Sequence, residues 1–217
     1  ILKGSTTIAL PIKSQAALFN DQGEKRKGVA TMFVAAPVRD HNKHIIAAFI
    51  QRIDVRTDFT PLFSNNHLGK SGETYAFNRS GQLISKSRFE PQLREIGLLG
   101  PKQDSLLNLT LHDPGTDLRK QGSQQAGGGA QRLTLMAARA TKGESGTNVE
   151  GYRDYRGVAV LGSWDWNPEL NIGITVEIDR AEAYLLHNTA VSIIWALAVF
   201  ALVIVNGLIY IHLRSHA

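Results

Sequence analysis

Cysteine is absent from this 217-residue chain. Its absence excludes disulfide staples, thiol nucleophiles and thiolate metal sites. A strong charge of one sign is missing too: 24 Lys and Arg face 19 Asp and Glu, and Lys25-Arg26-Lys27 is the one tight basic run. With no aromatic residues interleaved among the cations, the pattern offers no nucleic-acid surface. The seven histidines (His41, His44, His67, His112, His187, His212 and His216) form no zinc-ligand cluster. No Gly-x-Ser-x-Gly elbow and no nucleophile–base pair is present, and Asp54, Asp58 and Asp179 read as caps and turns. Gly69-Lys70-Ser71 is not a phosphate loop, because Ser64 stands where the earlier glycine is needed and a strand follows rather than precedes it. No catalytic residue, cofactor or metal is expected. Asn78-Arg79-Ser80 and Asn108-Leu109-Thr110 match the glycosylation acceptor pattern, which arises easily by chance.

What the chain does have is an apolar run, Thr189 to Leu213, with no Asp, Glu, Lys or Arg. At ~1.5 Å per residue it is long enough to cross a hydrocarbon core of about 30 Å. The lipid bilayer is therefore an expected partner, with a single span. Tyr210, near the end of the run, fits an interfacial anchor. Arg180 before the run and Arg214 after it balance, so charge does not set the orientation. The opening Ile1-Leu2-Lys3, with no initiator Met or secretory pattern, reads as a piece of a longer protein.

Before the span, two apolar runs, Val29–Ala36 and Ile45–Ile50, flank the polar turn 40–43. They predict an antiparallel hairpin, central in a sheet because both runs are nearly continuous. Thr6–Leu10 is a candidate third strand, and Phe59–Leu68 a short connector with helical character. Glu73–Phe77 and Leu83–Ser85 flank Asn78-Arg79-Ser80-Gly81, a second hairpin. Pro91–Leu99 and Arg132–Thr141 predict helices, the latter burying Leu133, Met136, Ala137 and Ala140. Gln121–Gly129 predicts a flexible loop. Three strands follow, near Val149–Tyr155, Val158–Trp166 and Ile172–Ile178. Asp179 then caps a helix that, lacking Gly and Pro as far as Val205, is expected to run unbroken into the membrane. This element order is that of an α+β, PAS-like antiparallel sheet with flanking helices.

The richest polar-aromatic patch is Tyr152-Arg153-Asp154-Tyr155-Arg156-Gly157, with Trp164 and Trp166 on one face of the next strand. Two readings stand. Arg88, Tyr152, Arg153, Asp154 and Trp164 hold a small zwitterion or carboxylate, such as an amino acid or organic acid. Alternatively, the aromatics pack a core and the charges pair at its rim.

Two stretches, 69–77 with 81–85 and 87–89, and 151–162 with Trp164 and Trp166, resemble the opening hairpin and the closing strands of the membrane-proximal module of double Cache sensor domains. Glu177-Ile178-Asp179 with Glu182-Ala183-Tyr184 resembles that module's exit into the second transmembrane helix. Ala35–Val38 and Arg52–Asp54 resemble the last strands of the distal module. The resemblance implies four parts: residues 1–56 as the C-terminal part of a membrane-distal Cache module, 57–178 as the membrane-proximal module, 179–188 as a juxtamembrane helix and 189–213 as a transmembrane helix. It further implies a homodimeric receptor in the cell inner membrane. Its soluble part would be extracytoplasmic, reporting a small molecule or partner to a kinase, nucleotide cyclase or chemotaxis module, with no enzymatic role for this portion. The distal ligand-binding motif is not among the matched residues. The rival readings are a structural or partner-binding ectodomain on a membrane anchor, and an anchored hydrolase, which would need the nucleophile–base pair the chain lacks.

Overall fold

The alternation of buried and exposed residues from Ala159 to Asn167 lies at the heart of the larger sheet. The computed structural model describes residues 4–19, 22–64, 68–121 and 132–215, apart from the side chains at 121, 186 and 209–213. The Gly/Gln/Ser-rich segment beyond residue 121 lies outside the described residues, as do Ile1-Leu2-Lys3, His67 and His216; so does the Tyr210 side chain.

The strands are β1 (Thr7–Lys13), β2 (Leu18–Phe19), β3 (Lys25–Arg26), β4 (Ala30–Arg39), β5 (Ile45–Asp54), β6 (Glu73–Asn78), β7 (Gly146–Arg153), β8 (Ala159–Asn167) and β9 (Ile172–Asp179). The helices are α1 (Pro61–Ser64), α2 (Glu90–Glu95), α3 (Leu118–Gln121), α4 (Leu135–Ala140), α5 (Arg180–Ala183) and α6 (Leu185–Ser215), with a π-helical turn at Val55–Phe59. A three-stranded antiparallel sheet has the order β1-β4-β5, and a four-stranded one the order β6-β9-β8-β7. The result is the expected α+β architecture of antiparallel sheets with short helices, followed by a long apolar helix.

On one face of the four-stranded sheet, Tyr75, Phe77, Val160, Trp164 and Trp166 pack with Leu93 of α2 and Met136 of α4. On the other, Ala76 and Ile172 pack with Met32, Val55 and Phe63, which joins the smaller sheet to the larger. Arg56 pairs with Asp104 across the same seam at 2.5 Å.

Three expectations need correction. The hairpin 29–50 forms, but β5 is an edge strand, and Ile46, Phe49 and Ile50 are exposed. A continuous apolar run fits burial on two faces, but β5 has one ladder partner, and among the described residues no helix covers it. The return arm of the second hairpin makes only the isolated bridges Phe77↔Leu83 and Gln82↔Thr110. The helix after Asp179 is not unbroken: Tyr184, at φ −92° and ψ 0°, is a turn between α5 and α6. The peptide ladder bridges that turn, since the Tyr184 amide donates to the Arg180 carbonyl and the Asn188 amide to the Tyr184 carbonyl.

Candidate functional site

Strand alternation turns Glu73 inward beside Tyr75 and Phe77, and Glu177 inward beside Thr175. These two glutamates are direct partners in the β6–β9 ladder, and both are buried. A buried carboxylate needs donors or a proton. Glu177 receives the Tyr75 hydroxyl at 2.8 Å and the Tyr152 hydroxyl at 2.6 Å. Glu73 receives the Ser87 hydroxyl at 2.7 Å, the Tyr155 hydroxyl at 2.6 Å and the Arg88 amide at 2.9 Å.

Burial, reinforced by the negative charge of Asp154, pushes the Glu177 carboxyl up to about 8, against the pull of the two tyrosine hydroxyls. Burial likewise raises Glu73. Geometry says the same of Glu73. Its two oxygens, the Ser87 hydroxyl and the Tyr155 hydroxyl form a ring of close contacts, closed by Ser87 to Tyr155 at 2.9 Å. Serine and tyrosine supply one proton each. All three contacts are hydrogen bonds only when Glu73 carries the third proton. Burial also raises Tyr75, Tyr152 and Tyr155, so these phenols stay donors.

A second buried cluster lies towards the start of α5. The Arg156 guanidinium donates to Asp154 at 2.6 Å and to Asp179 at 2.9 Å, donates to Gln92 at 3.2 Å, and stacks 3.9 Å from the centre of the Phe89 ring. Burial works against its charge, but Asp154, Tyr155 and Asp179 outweigh that and raise its pKa. Asp154 also accepts the Arg156 and Val158 amides at 2.8 and 2.9 Å, which holds the tight turn at Gly157. Asp179 stands at the cap position of α5, but its side chain makes no capping bond; it faces Arg156 and Arg119 instead.

Glu182, in α5, ties the helix to the turn that precedes β6. It accepts the Lys70 and Ser71 amides at 2.7 Å each, and the Ser71 hydroxyl. Ser71 in turn accepts the Asp179 amide at 3.1 Å. The Lys70 amide bond, with those from Ser71, holds the Glu182 carboxyl below the usual glutamate range.

The five predicted residues are divided by this geometry. Tyr152 and Trp164 come together inside, ring centres 6.1 Å apart and edge to face. Tyr152 reaches Glu177 because residue 162 is glycine: a Cβ there would collide with the Tyr152 hydroxyl. Asp154 belongs to the Arg156 cluster. Arg153 points outward and pairs with Asp113 at 2.8 Å. Arg88 lends its amide to Glu73 and its guanidinium to the Gly72 carbonyl. The buried indole nitrogens of Trp164 and Trp166 have no acceptor among the described residues. Also among those residues, no group of three or more His, Asp or Glu is placed to hold a metal ion.

Sequence reading missed Glu73 and Glu177 as interior groups. The signal was there: Glu73 keeps the two-residue rhythm of Tyr75 and Phe77, and Glu177 that of Gly173 and Thr175. Arg156 was visible in the aromatic patch but not singled out.

No family model matches the chain, and no curated protein matches it. Solved structures do. The periplasmic sensory domain of the Campylobacter jejuni chemoreceptor Tlp1 aligns with 81% of the chain and 50% of its own, at 15% identity and TM-score 0.45. The extracellular domain of the putative histidine kinase mmHK1S-Z3 aligns with 83% of the chain and 52% of its own, at 11% identity and TM-score 0.44. The ligand-binding domain of the Pseudomonas aeruginosa PAO1 amino acid chemoreceptor PctB, in complex with L-Arg, aligns with 83% and 57%, at 12% identity and TM-score 0.43. The chain thus spans about half the length of these structures.

Proposed function

We propose that this chain is the membrane-proximal sensory part of a homodimeric transmembrane receptor of the double Cache type. Residues 57–178 form the proximal module, 1–56 the end of the distal one, 179–188 the juxtamembrane segment and 189–213 the span. The sheets lie outside the inner membrane, and the signal passes to a cytoplasmic kinase, cyclase or chemotaxis module. One observation carries this reading. The sheet's strand β9 passes directly into α5 and then α6, which includes an apolar stretch, His187–Leu208, long enough to cross a bilayer. Both acids at that junction are bonded back to the sheet domain. A passive anchor has no need of such ties.

The signal in this reading is an amino acid or organic acid whose carboxylate competes with Glu177 for the Tyr75 and Tyr152 hydroxyls. Trp164 walls the site, Arg88 and Asp154 flank it, and Arg153 stands at the rim. The thermal stability of the full chain in lipid nanodiscs, read against a panel of such acids, tests it. A ligand at a hundred times its Kd adds about 2.7 kcal/mol, an upward shift of several degrees. Tyr152→Phe removes one hydroxyl donor and should abolish the shift. A second reading, in which this module transmits without holding a ligand, is favoured by one observation: the buried carboxyl groups of Glu73 and Glu177 already have their hydroxyl partners within the chain. A panel that shifts nothing supports that reading and sinks the first.

A further inference from the structure

A cavity lies beside the start of α6. It is open, about 700 Å³, and its walls are the α3 segment with Asp117, Arg119 and Lys120, the start of β8, and α5 running into α6 with Arg180, Tyr184 and His187. We infer that this cavity takes the phosphodiester headgroup of an anionic phospholipid.

Place and charge both point there. His187 lines the cavity and is also the first residue of the membrane-long apolar stretch. The cavity therefore opens at the level where that helix enters lipid, where headgroups lie. Its two acids are already occupied: Asp117 is paired with Arg119 at 3.0 Å, and Asp179 with Arg119 at 3.1 Å and Arg156 at 2.9 Å. Lys120 and Arg180 are exposed and have no carboxylate partner among the described residues. Arg180 is held in place, its side chain passing over Gly151 and its guanidinium 5.9 Å from the Tyr184 ring centre. The Tyr184 hydroxyl is fixed by the Val149 carbonyl at 2.9 Å. Val158, Ala159 and Ala181 give an apolar floor for the glycerol and upper acyl carbons. Two uncommitted cations beside a bilayer surface favour a phosphate with net negative charge over a zwitterionic headgroup.

The inference rests on reading α6 as a span. The test is the melting temperature of the full chain in nanodiscs of phosphatidylcholine alone, and in equal parts phosphatidylcholine and phosphatidylglycerol. The chain should melt higher in the second. Lys120→Gln with Arg180→Gln should bind short-chain phosphatidylglycerol about thirtyfold more weakly, with unchanged melting in phosphatidylcholine. Lys120→Arg with Arg180→Lys keeps both charges and should keep the lipid effect. Equal melting in the two lipids overturns the site. A gain reproduced by inorganic phosphate in phosphatidylcholine overturns the lipid and leaves a free-anion site. Failure of the chain to enter nanodiscs at all overturns the span, and the site with it.

Discussion

Glu177 sets a pH dependence whose sign can be worked out. The carboxyl titrates near 4.5 when unperturbed and is pushed up to about 8 in the fold. Between those values the folded chain binds more protons than the unfolded one. Stability is therefore fully expressed at the acid end and falls as pH rises through the window, by about 1.4 kcal/mol per pH unit for one proton. Glu73 and Asp154, also raised by burial, act in the same direction. Thermal melts at pH 5, 6.5 and 8 should show the fall, and Glu177→Gln should make it shallower, because the amide is neutral throughout and still bonds both tyrosines. An undiminished slope in that variant would place the titrating proton elsewhere. Arg156 gives the converse case. Replacing it with Met leaves Asp154 buried without its cation and should cost on the order of 3–5 kcal/mol, read as a drop in melting temperature at pH 7. The sequence showed that Tyr152 and Trp164 belonged together. It did not show that an acid from another strand would meet Tyr152, because that meeting depends on which strands are neighbours, a property of topology rather than of spacing.

At the scale of elements, the turn before β6 and the helix α5 behave as one unit. Loop amides that point outward in succession attract anions. Gly69-Lys70-Ser71 does not fit a nucleotide phosphate, yet its amides do hold an anion, the Glu182 carboxylate. Glu182→Gln should weaken that hold. Hydrogen exchange at the Lys70 and Ser71 amides should rise severalfold while the amides of β6 stay as protected as before. Equal protection in the variant would mean the turn is held without Glu182. The long-range partner could not be seen in advance: 112 residues separate Lys70 from Glu182. The three closing strands were legible because alternation and turn residues are local. Helix α4 was also legible, and it buries Met136, Ala137 and Ala140 as expected, whereas Leu133 lies before the helix, half-buried, in a bridge to His112. The edge position of β5 was not, since apolar content says what a strand tolerates and not what covers it. Nor was the turn at Tyr184, where no Gly or Pro interrupts the sequence; the hydroxyl bond to Val149 and the ring's contact with Arg180 accompany it.

At the scale of the molecule, the central issue is the rotational link between the sheet and the span. Glu182 and Asp179 fix α5 to the sheet domain, and the peptide ladder continues through Tyr184 to Asn188. In the homodimer proposed above, a stiff link lets the sheets dictate which face of α6 meets the partner helix. The chain's lack of cysteine makes the test direct, because any single introduced cysteine reports alone. Cysteines placed one at a time from Val191 to Val205 and oxidised in membranes should cross-link with maxima every three to four residues, the period of about 3.6 residues per turn. One alanine inserted between Tyr184 and Leu185 turns everything after it by about 100°. With a stiff link, the cross-linking maxima move one residue towards the N-terminal end of α6. Maxima that stay on the same residues would mean that the helices choose their own face in the lipid and that Tyr184 is a swivel. The continuity of the amide ladder across Tyr184 argues for the shift. In that case the turn is a fixed bend in the connection from β9 to the membrane, and a displacement of Asp179 or Glu182 is passed on as a rotation of the span.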